Sequence, residues 1–89
     1  VTPEGKVKAA VRKYLRSIDA WYYMPVQSGL GVVGIPDFIV CLRGRFLAIE
    51  TKAPGKIKNT TANQDARLEE IHQAGGRALV CDDVQQVRT

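Results

Sequence analysis

The chain has 89 residues, with 13 Lys and Arg against 9 Asp and Glu and a net charge of +4. With 45% hydrophobic and 25% charged residues, it is neither disordered nor collagen-like, and its length suits a single domain, residues 1–89, with a modest core. The mild basic lean suits anionic partners without naming one, and the small core favours a homodimer in which a second copy covers part of the surface.

"TPEGKVKAAVRKYLRSI" is the first element. Thr2 suits a helix N-cap and Pro3 the first helical position. Val7, Val11, Tyr14 and Ile18 then recur at alternating steps of four and three, which makes one apolar stripe. Three residues before Val7 stands Glu4, an acid on that inward stripe. Interaction with the helix dipole, or capping, is its ordinary explanation. "AWYYMPVQ" reads as a strand ending near Pro25. Its Trp21, Tyr22 and Tyr23 are expected in the core or at a dimer contact, with stacking on unpaired bases as the alternative.

"SGLGVVG" is a glycine-punctuated loop, and "DFIVCL" and "RFLAIETK" are strands joined through Arg43 and Gly44. "APGKIKNTT" is a polar loop. "ANQDARLEEIHQA" is a second helix stopped by Gly75 and Gly76. "RALVC" is a last strand, and "DDVQQVRT" begins a further helix. The order α-β-β-β-α-β combines a three-stranded meander with a right-handed crossover, so the last strand should run parallel to the third. The expected fold is α/β, a mixed four-stranded sheet flanked by helices. Cys41 and Cys81 lie within apolar runs, far apart, and read as reduced core residues. No stretch has the length of a membrane span and no signal peptide is evident, so the cytoplasm is the expected location.

The hairpin carries unexpected charges. If Arg43 and Gly44 are its two loop residues, Leu42 faces Arg45 and the ladder brings Asp37 opposite Glu50. Opposed residues share a face, with Cβ atoms roughly 4.5–5.5 Å apart. Lys52, two residues past Glu50, belongs to that face as well. Two opposed carboxylates destabilise a strand pair. A divalent cation removes that penalty, because Mg²⁺ takes oxygen ligands and needs only one or two carboxylates. Two acids, a metal and a lysine are the equipment of phosphodiester hydrolysis. The competing account is a solvent-facing strand pair with an ordinary salt bridge.

"GIPD", followed thirteen residues after its Asp by "IETK", resembles the PD-(D/E)xK nuclease superfamily. More narrowly, the whole chain resembles a stand-alone, phage-type VRR-NUC (virus-type replication-repair nuclease) domain. "QSGLGVVGIPD" matches that family's glycine-rich approach, "KAPGK" its loop and Gln64 its glutamine-headed helix. The resemblance implies a restriction-endonuclease-like αβββαβ core. It also implies a Mg²⁺- or Mn²⁺-dependent DNA endonuclease that leaves 5′-phosphate ends, acts on branched DNA as Holliday-junction resolvases do, and works as a homodimer in DNA repair. A phage-encoded chain would act in the host-cell cytoplasm.

On that resemblance Asp37 and Glu50 are metal ligands, the Thr51 carbonyl is a third, and Glu4 contributes through water. Lys52 is the catalytic lysine. Gln64 is either catalytic or the partner of Thr61 in a capping box. Ser28 and Lys56 are candidate DNA contacts, with a simple turn and a solvated lysine as the alternatives. Arg43 and Arg45 read as solvated turn residues, with phosphate contact as the lesser alternative, and His72 as a helix-end charge. The alternatives are a restriction-like or replication-associated nuclease of different DNA specificity and, from another class, a nucleic-acid-binding module without catalysis.

Overall fold

The computed structural model describes residues 1–27 and 29–88. Helix α1 (Pro3–Ser17) leads to strand β1 (Trp21–Tyr23), then β2 (Phe38–Leu42), β3 (Arg45–Thr51), helix α2 (Ala62–Gln73), β4 (Arg77–Cys81) and a 3₁₀ turn (Val84–Gln86). The sheet order is β1-β2-β3-β4, with β1, β2 and β3 antiparallel and β4 parallel to β3. This is the expected mixed α/β sheet. Among the described residues no helix is long and apolar enough to cross a membrane.

Both helices begin as their sequences dictate. The Thr2 hydroxyl accepts from the Gly5 amide at 3.0 Å, and Pro3 needs no donor at the first position. At α2, Thr61 and Gln64 form a reciprocal capping box. The final segment makes only the 3₁₀ turn, capped by Asp83, in place of the expected helix.

Strand alternation divides the sheet into two faces. Phe38, Val40 and Ile49 point to one side and pack with Val7, Val11 and Leu15 of α1 and with Cys81 and Val87; this is the main core. The helix stripe differs from the expected one at its C-terminal half: Leu15 is buried, while Tyr14 and Ile18 lie at its margin. Successive steps of four keep Val7, Val11 and Leu15 in a row over one side of the sheet. Cys81 is a buried core residue, and burial pushes its thiol up to about 12.

The other face is covered by α2 over β3 and β4 only. Trp21, Cys41 and Phe46, matched across β1, β2 and β3, are exposed there, as is Tyr23. This corrects the core reading for Trp21, Tyr23 and Cys41: they occupy core-like strand positions, but no helix lies over that half of the sheet. Tyr22 points the opposite way and packs its ring on Phe38, with centroids 6.1 Å apart.

The β2–β3 turn fixes the register. Arg43 and Gly44 both have positive φ, 52° and 77°, the geometry whose twist matches a two-residue hairpin. Arginine is a strained choice for that position, where asparagine is favoured. Arg43→Asn should therefore stabilise the protein by about 0.5 kcal/mol, roughly 2–4 °C in thermal midpoint. Calorimetry that finds the variant less stable would contradict the turn geometry.

Candidate active site

The register runs Leu42↔Arg45, Val40↔Leu47 and Phe38↔Ile49, so its continuation sets Asp37 across from Glu50. The ladder stops at Phe38, however, and Asp37 lies just outside β2 instead of opening it. The cause is Pro36. Hydrogen-bonded pairs alternate along an antiparallel ladder, and the next after Phe38–Ile49 would be Pro36–Thr51. Proline has no N–H to give the Thr51 carbonyl. The Thr51 amide donates instead to Asp37 Oδ2 at 2.9 Å, and the Thr51 hydroxyl donates to the same oxygen at 2.8 Å. Because the N–H and C=O of a strand residue leave on the same side, the Thr51 carbonyl also points toward this end of the hairpin.

Glu50 is buried, 4% exposed, at the other side of the cluster. Its Oε2 accepts from Gln64 Nε2 at 3.1 Å and lies 3.6 Å from the Lys52 ammonium. Lys52 Nζ in turn donates to Gln64 Oε1 at 2.9 Å. The same Oε1 accepts from the Thr61 amide at 3.0 Å, so Gln64 closes the capping box and joins Lys52 to Glu50 at once. The two readings of Gln64 are both realised in its geometry.

Burial first, and then the Asp37 charge, push the Glu50 carboxyl up to about 7, against the pull of Lys52. The negative charge of Glu4 adds to that push from the first turn of α1, where Glu4 is half-buried. Among the described residues no three Asp, Glu, His or Cys side chains close into a metal-sized cluster. Two carboxylates and a strand-end carbonyl nevertheless suit a hard cation such as Mg²⁺, which keeps several of its waters. The electrostatic cost of holding the acids together is what such a cation relieves.

Lys56 is exposed in the 53–59 loop and pairs with none of these carboxylates. Ser28 lies outside the described residues. His72 is exposed in the last turn of α2, away from this cluster. Three contributors escaped the sequence reading. The Lys8 ammonium lies 3.5 Å from Asp37 Oδ1. It follows Glu4 by one helical turn and flanks the buried Val7 and Val11, and that position was the available signal. Asp82, at the end of β4, accepts from the Gly55 amide at 2.9 Å and pins the loop that follows Lys52. Gly34 has φ +87°, and a Cβ there would stand 2.5 Å from the Asn63 carbonyl carbon and 2.7 Å from the Gln64 amide. The glycine of "GIPD" thus lets the loop before Asp37 seat against the start of α2.

No protein-family model matches the chain, and neither does any curated protein. Among solved structures, one described as "VRR_NUC domain" superposes with a TM-score of 0.76 over 99% of this chain and 92% of that one, at 25% sequence identity. The chain has the fold of a VRR-NUC domain. That likeness points to a nuclease of the PD-(D/E)xK type, and in this chain Pro36-Asp37 and Glu50-Thr51-Lys52 are the residues that spell the motif.

Two expectations follow from this geometry. Glu50 holds its proton more tightly in the folded than in the unfolded chain. Its contribution to stability is therefore complete below its ordinary range near 4.5 and is lost as pH rises through about 7. In EDTA, urea denaturation of the protein should show that loss, up to about 3 kcal/mol, and Glu50→Gln should remove it. Equal pH slopes for the two proteins would refute the burial argument. Separately, Gly34→Ala should cost about 2 kcal/mol or more, while Gly31→Ala, which meets no atom within 4 Å, should be close to neutral in the same melts.

Proposed function

We propose that this domain is a Mg²⁺- or Mn²⁺-dependent DNA endonuclease that hydrolyses phosphodiester bonds, with selectivity for branched DNA such as a four-way junction. The observation that carries the reading is the Glu50–Gln64–Lys52 hydrogen-bonded set beside Asp37, two acids kept together at electrostatic cost. Asp37, Glu50 and the Thr51 carbonyl are the groups suited to hold the cation, with Glu4 contributing through water. When bound, the cation supplies polarisation of the phosphoryl oxygen and acidifies the attacking water.

The remaining work falls to the chain. Thr51 fixes Asp37 through two hydrogen bonds to one oxygen, which leaves Asp37 Oδ1 turned toward Lys8. Gln64 orients the Glu50 carboxylate with its amide and the Lys52 ammonium with its carbonyl. Lys52 then donates to the oxygen of the attacking water, holding it in line, and offsets the negative charge that grows on the phosphoryl oxygens. Only 11% of the Lys52 side chain is exposed, so water screens that charge weakly. Lys56 and Ser28 are assigned to the DNA backbone beside the site.

Homodimerisation is part of the proposal. Trp21 and Tyr23, on the sheet half that α2 leaves bare, form an exposed apolar strip with Phe46 at the edge of α2, which a second copy would cover. Two copies related by a two-fold axis would cut two strands of a junction symmetrically.

The test compares four-way junction, flap, duplex and single-stranded DNA in Mn²⁺, with wild type and Lys52→Ala. The junction should be cut fastest, leaving 5′-phosphates, and Lys52→Ala should lose about 10²–10³-fold in kcat. Equal rates on all four substrates would remove the junction selectivity. Undiminished cleavage by Lys52→Ala would remove the assigned site. Calorimetric Mn²⁺ titration should show binding that Asp37→Ala abolishes.

A further inference from the structure

α1 turns a second surface outward, on the flank beside β1. Lys8, Arg12 and Arg16 follow one another at steps of four, each about 6 Å along the helix axis. With Lys13 and Met24 they line a shallow groove of about 430 Å³. The row begins at the candidate active site, because Lys8 lies 3.5 Å from Asp37 Oδ1. It ends near the level of Trp21, toward the hairpin-turn end of the sheet.

Folding alone gives little reason for this row. Like charges four residues apart on a helix repel. The ion pairs among the described residues are Lys8–Asp37, Lys52–Glu50 and Arg67–Glu70, so no carboxylate serves Arg12 or Arg16. Their Nε atoms converge instead on a single oxygen. Arg12 Nε and Arg16 Nε both donate to the Tyr22 hydroxyl, at 3.0 and 3.1 Å. The Arg12 hydrogen bond leads the interactions that hold the Tyr22 phenol below its ordinary range. The Tyr22 ring is anchored on Phe38, so the hydroxyl is a fixed post that holds both guanidiniums side by side. Both arginines are exposed, and the bonds to Tyr22 are made by Nε and not by the Nη nitrogens.

We propose that the Lys8–Arg12–Arg16 row is the track for the phosphate backbone of the DNA strand leaving the cleaved bond, with Tyr22 as the residue that positions its two arginines. Planar guanidiniums bind phosphate bidentately, and one cation per helical turn is a spacing comparable to that of successive phosphates on a strand. The inference rests on the nuclease reading for the identity of its ligand.

The experiment is fluorescence anisotropy with a fluorescein-labelled four-way junction in EDTA, over a range of KCl concentrations, paired with cleavage kinetics in Mn²⁺. Arg12→Ala/Arg16→Ala should weaken Kd by about 10–100-fold near 0.1 M salt and flatten the log Kd–log salt slope by about 1.5. At saturating DNA its kcat should stay within about two-fold of wild type, with the loss in KM. Tyr22→Phe should weaken Kd by about 3–10-fold and leave the salt slope unchanged, since both charges remain. Arg16→Ala should weaken binding more than Arg77→Ala, which removes the same charge from β4, the edge strand opposite β1.

Wild-type binding and slope in the double variant would overturn the track, and so would an equal loss in Arg77→Ala. Wild-type binding by Tyr22→Phe would overturn the role given to Tyr22. The two readings fail separately. A wild type that cleaves while the double variant binds unimpaired removes the track alone. A wild type that binds through the arginines but never cleaves removes the nuclease reading alone.

Discussion

The rest of the site depends on where the two-residue turn at Arg43 and Gly44 puts the strands. With that turn closed, the register leaves Asp37 and Glu50 as neighbours at the open end of the hairpin. A one-residue slip would send every β3 side chain to the opposite face. Glu50 would then move into the apolar layer under α1, and Ile49 would face α2. The strained φ of Arg43 is thus the local cost of a register on which both faces of the sheet depend. Pro36 completes the arrangement by ending the ladder one pair early. That frees the Thr51 amide to hold Asp37 and leaves the Thr51 carbonyl without its ladder donor.

Once the acids are placed, α2 organises the second half of the site through its own first turn. A capping box ordinarily closes on itself, with the glutamine carbonyl spent on the cap amide. Here the carbonyl oxygen accepts from Lys52 as well, and the side-chain amide reaches Glu50. The helix start and the site are therefore one hydrogen-bonded unit, and what positions the helix positions Lys52. Gly34 sets how closely the loop before Asp37 approaches that unit, and Asp82 secures the loop that follows Lys52. Small separate contacts converge on few atoms, as they must in a chain with little interior to spend.

Much of this was legible in the sequence, for identifiable reasons. Capping signals located both helices, because Thr2-Pro3 and Thr61-x-x-Gln64 act through local geometry. Even spacing about a two-residue turn gave the Asp37–Glu50 opposition, because hairpin register is arithmetic. What the sequence concealed came from tertiary placement. Leu15, not Tyr14 or Ile18, fills the end of the α1 stripe, and that choice depends on which side of the helix the sheet lies. Trp21, Tyr23 and Cys41 have core-like character, yet α2 does not extend over them. Lys8 carried one sign, its place beside the buried Val7 and Val11 one turn after Glu4, but nothing in the sequence named Asp37 as the acid it would meet. The Tyr22 hydroxyl could not be paired with Arg12 and Arg16 before β1 was known to run beside α1.

The two lysines at the site are not equivalent, and the difference bears on how a cation would enter. Lys8 on Asp37 and Lys52 on Glu50 bring the formal charge of the cluster to zero, which lets two acids sit together without a metal. Lys52 is 11% exposed and fixed by Gln64, while Lys8 is 35% exposed and its ammonium makes no hydrogen bond beyond the 3.5 Å ion pair. A divalent ion between the acids makes one of these positive charges redundant. Lys8 is the more weakly held of the two, since its stem reaches solvent and, among the described residues, the Asp37 ion pair is what holds its head. Released from Asp37, it becomes the first cation of the row that continues through Arg12 and Arg16. On the proposed reading, then, Asp37 would be a group that holds the cation, and Lys8, no longer needed to offset its charge, would be free for a phosphate of the track.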